Sequence, residues 1–228
     1  MPATPLSSPD VPYPFRLGAG NRPVFRTTMP ESLPFGLSCG HTWHEVGAIL
    51  RFLNLAKVST FVELGVHEGG LASILVSRCL FHMAFTYLGV EINGQIPREE
   101  LHRAMRLVPH GAATILVGDC LGEQVRERVR GVILQSAGPV FIYCDDGNKP
   151  AELAYYAGLP RIGDFIGVHD FHDGVRQVLD MPDFPDPVFP IPEVLPDDLD
   201  PVRDRFEVAY PPIFEDTRTA VFRCVVPV

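Results

Sequence analysis

Five short stretches of the chain carry residue types that could bind a ligand or move a proton. The first is Glu63-x-Gly65-x-His67-x-Gly69, whose glycines let the backbone turn tightly, approach a ligand closely and leave free N–H groups at a helix start. The second is Glu91, a carboxylate suited to accepting both hydroxyls of a ribose. The third is Gly118-Asp119-Cys120, where an acid could accept from an adenine amino group. The last two are Asp145-Asp146-Gly147-Asn148-Lys149 and His169-Asp170-Phe171-His172-Asp173. Carboxylates and an imidazole drawn from Asp145, Asp146, His169 and Asp170 could hold a hard divalent cation such as Mg²⁺ or Mn²⁺. A cation on a substrate hydroxyl would lower its pKa and leave Lys149 or His169 to take the proton.

The elements that must position these residues alternate along the chain. Val46, Ile49, Leu50 and Leu53 recur at helical spacing and predict a helix over 41–56. Apolar runs predict strands over 60–66, 85–91, 113–117, 140–144 and 164–168, separated by helices over 71–83, 97–107, 121–134 and 151–158. Such alternation implies right-handed crossovers and a parallel sheet covered on both faces. Two further strands, 206–210 and 219–226, suit an antiparallel hairpin turned through Pro211 and Asp216. In a doubly wound sheet ligands bind outside the carboxyl ends of the strands, and each of the five stretches follows or ends a strand. Every residue also has a plainer use: a glycine turn serves strand–helix packing, an acid at a strand end caps the next helix, and Asp-Gly is a common turn. His172 and Asp173 read as exposed helix-start residues rather than ligands. Arg126, Arg128 and Arg130, interleaved with Glu123 and Glu127, read as a solvated helix face.

Taken together and in order, Glu63-x-Gly65-x-x-x-Gly69, Glu91, Gly118-Asp119 and the terminal hairpin resemble the class I S-adenosylmethionine-dependent methyltransferases, over roughly 41–179 and 204–228. The resemblance implies an α/β fold, a doubly wound Rossmann-like sheet of seven strands ending in an antiparallel hairpin. It implies S-adenosylmethionine as cofactor, with Glu63 and Gly65 near its methionine end, Glu91 on the ribose and Asp119 near the adenine; His67, Gly69 and Asp145 complete the expected binding set. The acids after strands four and five, with Lys149, are similar to those of metal-assisted O-methyltransferases, in the branch with cephalosporin-hydroxylase-like and macrocin-type sugar enzymes. There an acid after strand four and an acidic pair after strand five hold Mg²⁺ or Mn²⁺. Here His169 stands where the second carboxylate is expected, so Fe²⁺, Mn²⁺, Zn²⁺ or a metal-free histidine base stay open beside Mg²⁺. The implied reaction is methylation of a hydroxyl on a small metabolite or sugar-like acceptor, with Lys149 and His169 as the catalytic pair. Two rivals remain: a methyltransferase-like binding or scaffold protein without transfer activity, and a hydrolytic metal site. A nicotinamide-binding domain is disfavoured because G-x-G-x-x-G is absent, and a P-loop because G-x-x-x-x-G-K-[ST] is absent. The Asn/Asp-Pro-Pro-aromatic motif of amino-group methyltransferases is also missing after strand four.

Charge and proline sharpen the organisation. The 228 residues include 19 Lys+Arg and 28 Asp+Glu, net −9, which disfavours nucleic-acid binding because phosphates need cations. No apolar run approaches the ~18–20 residues that cross a bilayer, so a membrane partner is not expected. The N-terminal residues lack a signal-peptide pattern and the five cysteines are scattered, which suggests reduced thiols and a cytoplasmic protein. Of the 23 prolines, eight lie in 1–40 and seven in 180–204. The expected organisation is therefore a proline-rich arm over 1–40 that packs on the domain or a neighbouring copy of the chain, in a homo-oligomer, followed by a methyltransferase-like domain over 41–228. That domain carries an acidic insertion at 180–204, which holds eight acids against Arg203 and reads as an acceptor-side lid, an interaction surface or a solvated loop.

Overall fold

The computed structural model describes residues 41–82, 84–94, 99–171, 194–214 and 217–227. The expected arm over 1–40, His172, Asp173 and the first half of the acidic insertion lie outside them. Seven strands form one sheet: β1 (Thr60–Leu64), β2 (Thr86–Glu91), β3 (Ala113–Val117), β4 (Val140–Cys144), β5 (Phe165–Val168), β6 (Phe206–Val208) and β7 (Ala220–Cys224). Their order is β3-β2-β1-β4-β5-β7-β6, with β1 to β5 parallel and β7 antiparallel between β5 and β6. The order reverses between β1 and β4, so the crevice expected for a ligand opens at the carboxyl ends of those two strands.

Each helix begins where local chemistry favours it. Helix α1 (Trp43–Leu55) starts at a capping box, with the Thr42 hydroxyl accepting from the Glu45 N–H and Glu45 accepting from the Thr42 N–H. Helix α2 (Gly70–Phe81) follows Gly69, whose φ of 94° is left-handed, and no side chain caps its first turn. Helices α3 (Glu99–Met105) and α4 (Glu123–Gln135) precede α5 (Lys149–Tyr156), which begins with Asn148 accepting from the Ala151 N–H and with Pro150 in the first turn. The sequence-based boundaries hold to within a few residues. The proposed hairpin is present as the antiparallel β6–β7 pair, although its connection contains a short helix, α7 (Pro211–Phe214), rather than only a turn.

Strands β1, β2, β4 and β5 are buried along almost their whole length, whereas β3 is half covered. Phe52 of α1 packs edge-on against Phe141 of β4 and Phe165 of β5, with ring centroids 5.1 and 5.0 Å apart. Four described cysteines, Cys79, Cys120, Cys144 and Cys224, are buried free thiols. The second half of the acidic insertion packs into the domain: Val194 bridges to Phe171, a 3-10 turn spans Pro196–Leu199, and α6 spans Asp200–Arg203. Val194, Leu199 and Val202 are buried there, Asp197, Asp200 and Asp204 are exposed, and half-buried Asp198 accepts from the Leu195 N–H. No helix among the described residues is long and apolar enough to cross a membrane.

Candidate functional site

Two neighbouring groups of residues occupy the carboxyl edge of the sheet. The first is built around the turn after β1. Gly65 (φ 90°), His67 (φ 50°) and Gly69 (φ 94°) all lie in the left-handed region. A Cβ on Gly65 would sit 2.7 Å from the Asp145 carbonyl oxygen, and one on Gly69 would sit 2.5 Å from the Leu101 side chain. Glycine at these positions lets the β1 turn press against the β4 turn and against α3. The His67 N–H donates to Glu91 Oε2 at 2.8 Å and the Asn93 N–H donates to Glu91 Oε1 at 3.0 Å. Each carboxylate oxygen of Glu91 therefore keeps acceptor capacity at the strand end, where paired hydroxyls could dock. Asp119 is exposed, and its Oδ1 accepts from the Leu121 N–H at 2.9 Å, so it also closes the turn into α4.

Glu63 takes a different position. It is 1% exposed and accepts a hydrogen bond from the Tyr87 hydroxyl. Burial pushes its pKa up to about 8; the Tyr87 bond opposes the rise and the Asp145 charge adds to it. Glu63 is thus a neutral acid beneath the turn.

The second group gathers around the ends of β4 and β5. His169 Nδ1 lies 2.8 Å from Asp145 Oδ1, and His169 Nε2 lies 3.3 Å from Glu45 Oε1. His41 Nε2 lies 3.1 Å from Asp145 Oδ2 and 3.2 Å from the Tyr143 hydroxyl, and the two imidazoles stack with centroids 4.4 Å apart. Burial would raise the Asp145 carboxyl, but His169 and His41 outweigh it and hold the group well below the usual carboxylate range. Glu45 is likewise held low against its burial, chiefly by His169. Burial disfavours the charged imidazole of His169, yet Asp145 and Glu45 together raise its pKa. Asp170, at φ 53°, puts Oδ1 2.8 Å from Arg218 Nη1, a close ion pair without hydrogen-bond alignment, and Oδ2 3.5 Å from Lys149 Nζ. Lys149 is buried and also donates to the Asp146 carbonyl at 3.0 Å. A non-glycine residue in left-handed conformation beside buried ions is the kind of strain that concentrates at functional sites.

Of the expected metal-ligating set, the fold brings Asp145, His169 and Asp170 together. Asp146 turns away from them, with Oδ2 3.3 Å from Cys120 Sγ and its N–H donating to Glu152. Burial pushes Glu152 up to about 8 as well. Sequence reasoning missed Glu45, Arg218 and the role of His41. The Thr42-x-x-Glu45 spacing announces a capping box, but nothing local tells that Glu45 reaches a histidine 124 residues away. A separate groove of about 520 Å³, lined in part by Thr60, Thr86, Thr114 and Arg128, opens at the amino ends of the strands and holds none of the candidate residues.

Comparison with known proteins bears on the fold. No protein-family model and no curated protein matches the sequence. Among solved structures, CmcI with Mg-SAM superposes with a TM-score of 0.57 at 20% identity, covering 99% of this chain and 89% of that one. CmcI with SAH gives 0.52 at 16% identity, covering 82% and 79%. CalS11, a calicheamicin methyltransferase, gives 0.53 at 13% identity, covering 89% and 87%. The chain thus has the α/β Rossmann-like fold of class I methyltransferases, as the motif order implied.

Proposed function

We propose that this chain transfers the methyl group of S-adenosylmethionine to a hydroxyl of a small acceptor. The observation that carries the reading is the juxtaposition, at one sheet edge, of a left-handed glycine turn hydrogen-bonded to Glu91 with a buried Asp145/His169/Lys149 cluster. The names of two solved structures with this fold include SAM or SAH, and a third is called a methyltransferase.

The residues fit the cofactor. Glu91 has the acceptor geometry to orient the ribose hydroxyls, and the uncapped first turn of α2 offers N–H groups to an anionic end. Asp119, at the β3 end, can take the adenine amino group while keeping its turn bond. S-adenosylmethionine, when bound, supplies a methyl on a sulfonium sulfur for in-line displacement. The chain's own part is to align the acceptor oxygen and to handle its proton. His169, with a carboxylate on each ring nitrogen, and Lys149, beside Asp170, are the groups assigned to that proton. The donor set also fits a divalent ion at Asp145 and His169, which would act as a Lewis acid on the acceptor hydroxyl.

Calorimetric titration with S-adenosylhomocysteine tests the first half: saturable binding is expected, and none at millimolar ligand overturns the reading. Release of S-adenosylhomocysteine over a panel of hydroxylated acceptors, with and without EDTA, tests the second. Cofactor binding with no turnover on any acceptor would favour the binding-protein alternative.

A further inference from the structure

We propose that His41, Asp145 and His169 form a two-histidine, one-carboxylate centre for a divalent transition ion, with His41 supplying the ligand that an all-oxygen Mg²⁺ site would take from Asp170. The inference deepens the metal-assisted form of the proposed function and concerns the same end of the site. It rests on convergence: His41, Asp145 and His169 each present one ligand atom, and all three atoms lie within 4.8 Å of one another. His169 Nδ1 lies 2.8 Å from Asp145 Oδ1 and His41 Nε2 lies 3.1 Å from Asp145 Oδ2, close to the ~3 Å between adjacent ligands that each sit ~2.0–2.2 Å from an ion, so the two oxygens of this carboxylate face one histidine each. Binding an ion there would require Asp145 and the ligating imidazole nitrogens to be free of protons, so metal binding would be pH-dependent.

The surroundings support this ligand choice over one that uses Asp170. Asp170 Oδ1 already faces Arg218 at 2.8 Å, and Oδ2 faces Lys149 at 3.5 Å and His169 Nδ1 at 3.6 Å, so recruiting Asp170 would disturb two existing ion pairs. His169, by contrast, is backed on its far nitrogen by Glu45, the carboxylate–histidine arrangement that fixes the tautomer and strengthens a metal-bound imidazole. The Tyr143 hydroxyl, itself 3.1 Å from the Thr219 hydroxyl, lies 3.2 Å from the same His41 Nε2 and would give up that nitrogen to the ion. Glu45 is the third residue of α1 and His41 immediately precedes its cap, so one helix start supplies both a ligand and an outer support. Two imidazoles and one carboxylate suit Zn²⁺, Co²⁺, Mn²⁺ or Fe²⁺; Mg²⁺ prefers oxygen and near-ideal octahedral geometry.

The test uses the untagged full chain, stripped with a chelator and titrated with Co²⁺, followed by visible ligand-field absorption and calorimetry. One Co²⁺ per chain is expected, undisturbed by Mg²⁺ in about hundredfold excess. Loss of a ligand in His41→Ala should weaken Co²⁺ by at least about tenfold, whereas Asp170→Asn should change it less than about threefold. His41→Gln, checked for folding by circular dichroism, repeats the first arm with a side chain of similar size. The proposal is overturned if no Co²⁺ binds, if Mg²⁺ displaces it at comparable concentration, or if Asp170→Asn harms binding more than both folded His41 variants. Should neither His41 variant fold, the wild-type preference for Co²⁺ over Mg²⁺ decides. Calorimetry with S-adenosylhomocysteine runs beside it: cofactor binding without Co²⁺ binding sinks only this inference, and Co²⁺ binding without cofactor binding sinks only the methyltransferase reading.

Discussion

Glu63→Gln should remove a pH-dependent weakness from the native state. Glu63 lies in the second half of β1, 1% exposed, and its pKa rises from 4.5 to about 8 because burial penalises the carboxylate. Between those values the folded chain keeps a proton that the unfolded chain has released. Stability contributed by this group is therefore present in full below about pH 4.5 and is lost as pH rises toward 8. At ~1.4 kcal/mol per unit, the loss reaches roughly 3 kcal/mol by pH 7, an upper figure because local relaxation softens it. Glutamine keeps the shape and an acceptor for the Tyr87 hydroxyl but never ionises. Urea unfolding of both proteins from pH 5 to pH 8 supplies the measurement. The stability of the glutamine variant relative to wild type should climb steadily with pH. Glu152, also raised to about 8, titrates in both proteins and cancels from the difference. A difference that stays flat across the range would refute the claim that Glu63 is neutral in the folded protein.

Glu91→Ala should weaken S-adenosylhomocysteine by about tenfold or more, since a charge-assisted bond contributes ~1.5–3 kcal/mol; calorimetry showing wild-type affinity would remove the assigned ribose contact. Gly65→Ala should destabilise the fold by roughly 1–3 kcal/mol, because the added methyl meets the Asp145 carbonyl at 2.7 Å in a left-handed backbone. An unchanged melting temperature would contradict that packing. Leu199→Ala, in the second half of the acidic insertion, should cost about 2–5 kcal/mol as a buried leucine does, whereas a solvated loop would tolerate it without a measurable shift in chemical denaturation.

What the sequence determined by itself is what depends on neighbours along the chain. Short continuous apolar runs and stripes at period 3.6 mark β1 to β5 and the helices between them, because each element must bury one face or both wherever it packs. The turn at Gly65 and Gly69 and the acids at the strand ends were legible for the same reason: glycine permits the left-handed turn, and strand polarity puts 91, 119, 145 and 169 on one edge. The tertiary structure decided which of those edge residues face one another. Asp145 and Asp146 are adjacent in the chain, yet one meets two histidines and the other meets Cys120 and Glu152, since consecutive side chains leave a strand end in different directions. His41, Glu45 and Arg218 come from opposite ends of the chain and reach the β5 end only because α1 and the β7 entry fold over it. No local periodicity encodes such a meeting; burial of charge forces each ion to find a partner, and the fold alone determines which partner is near.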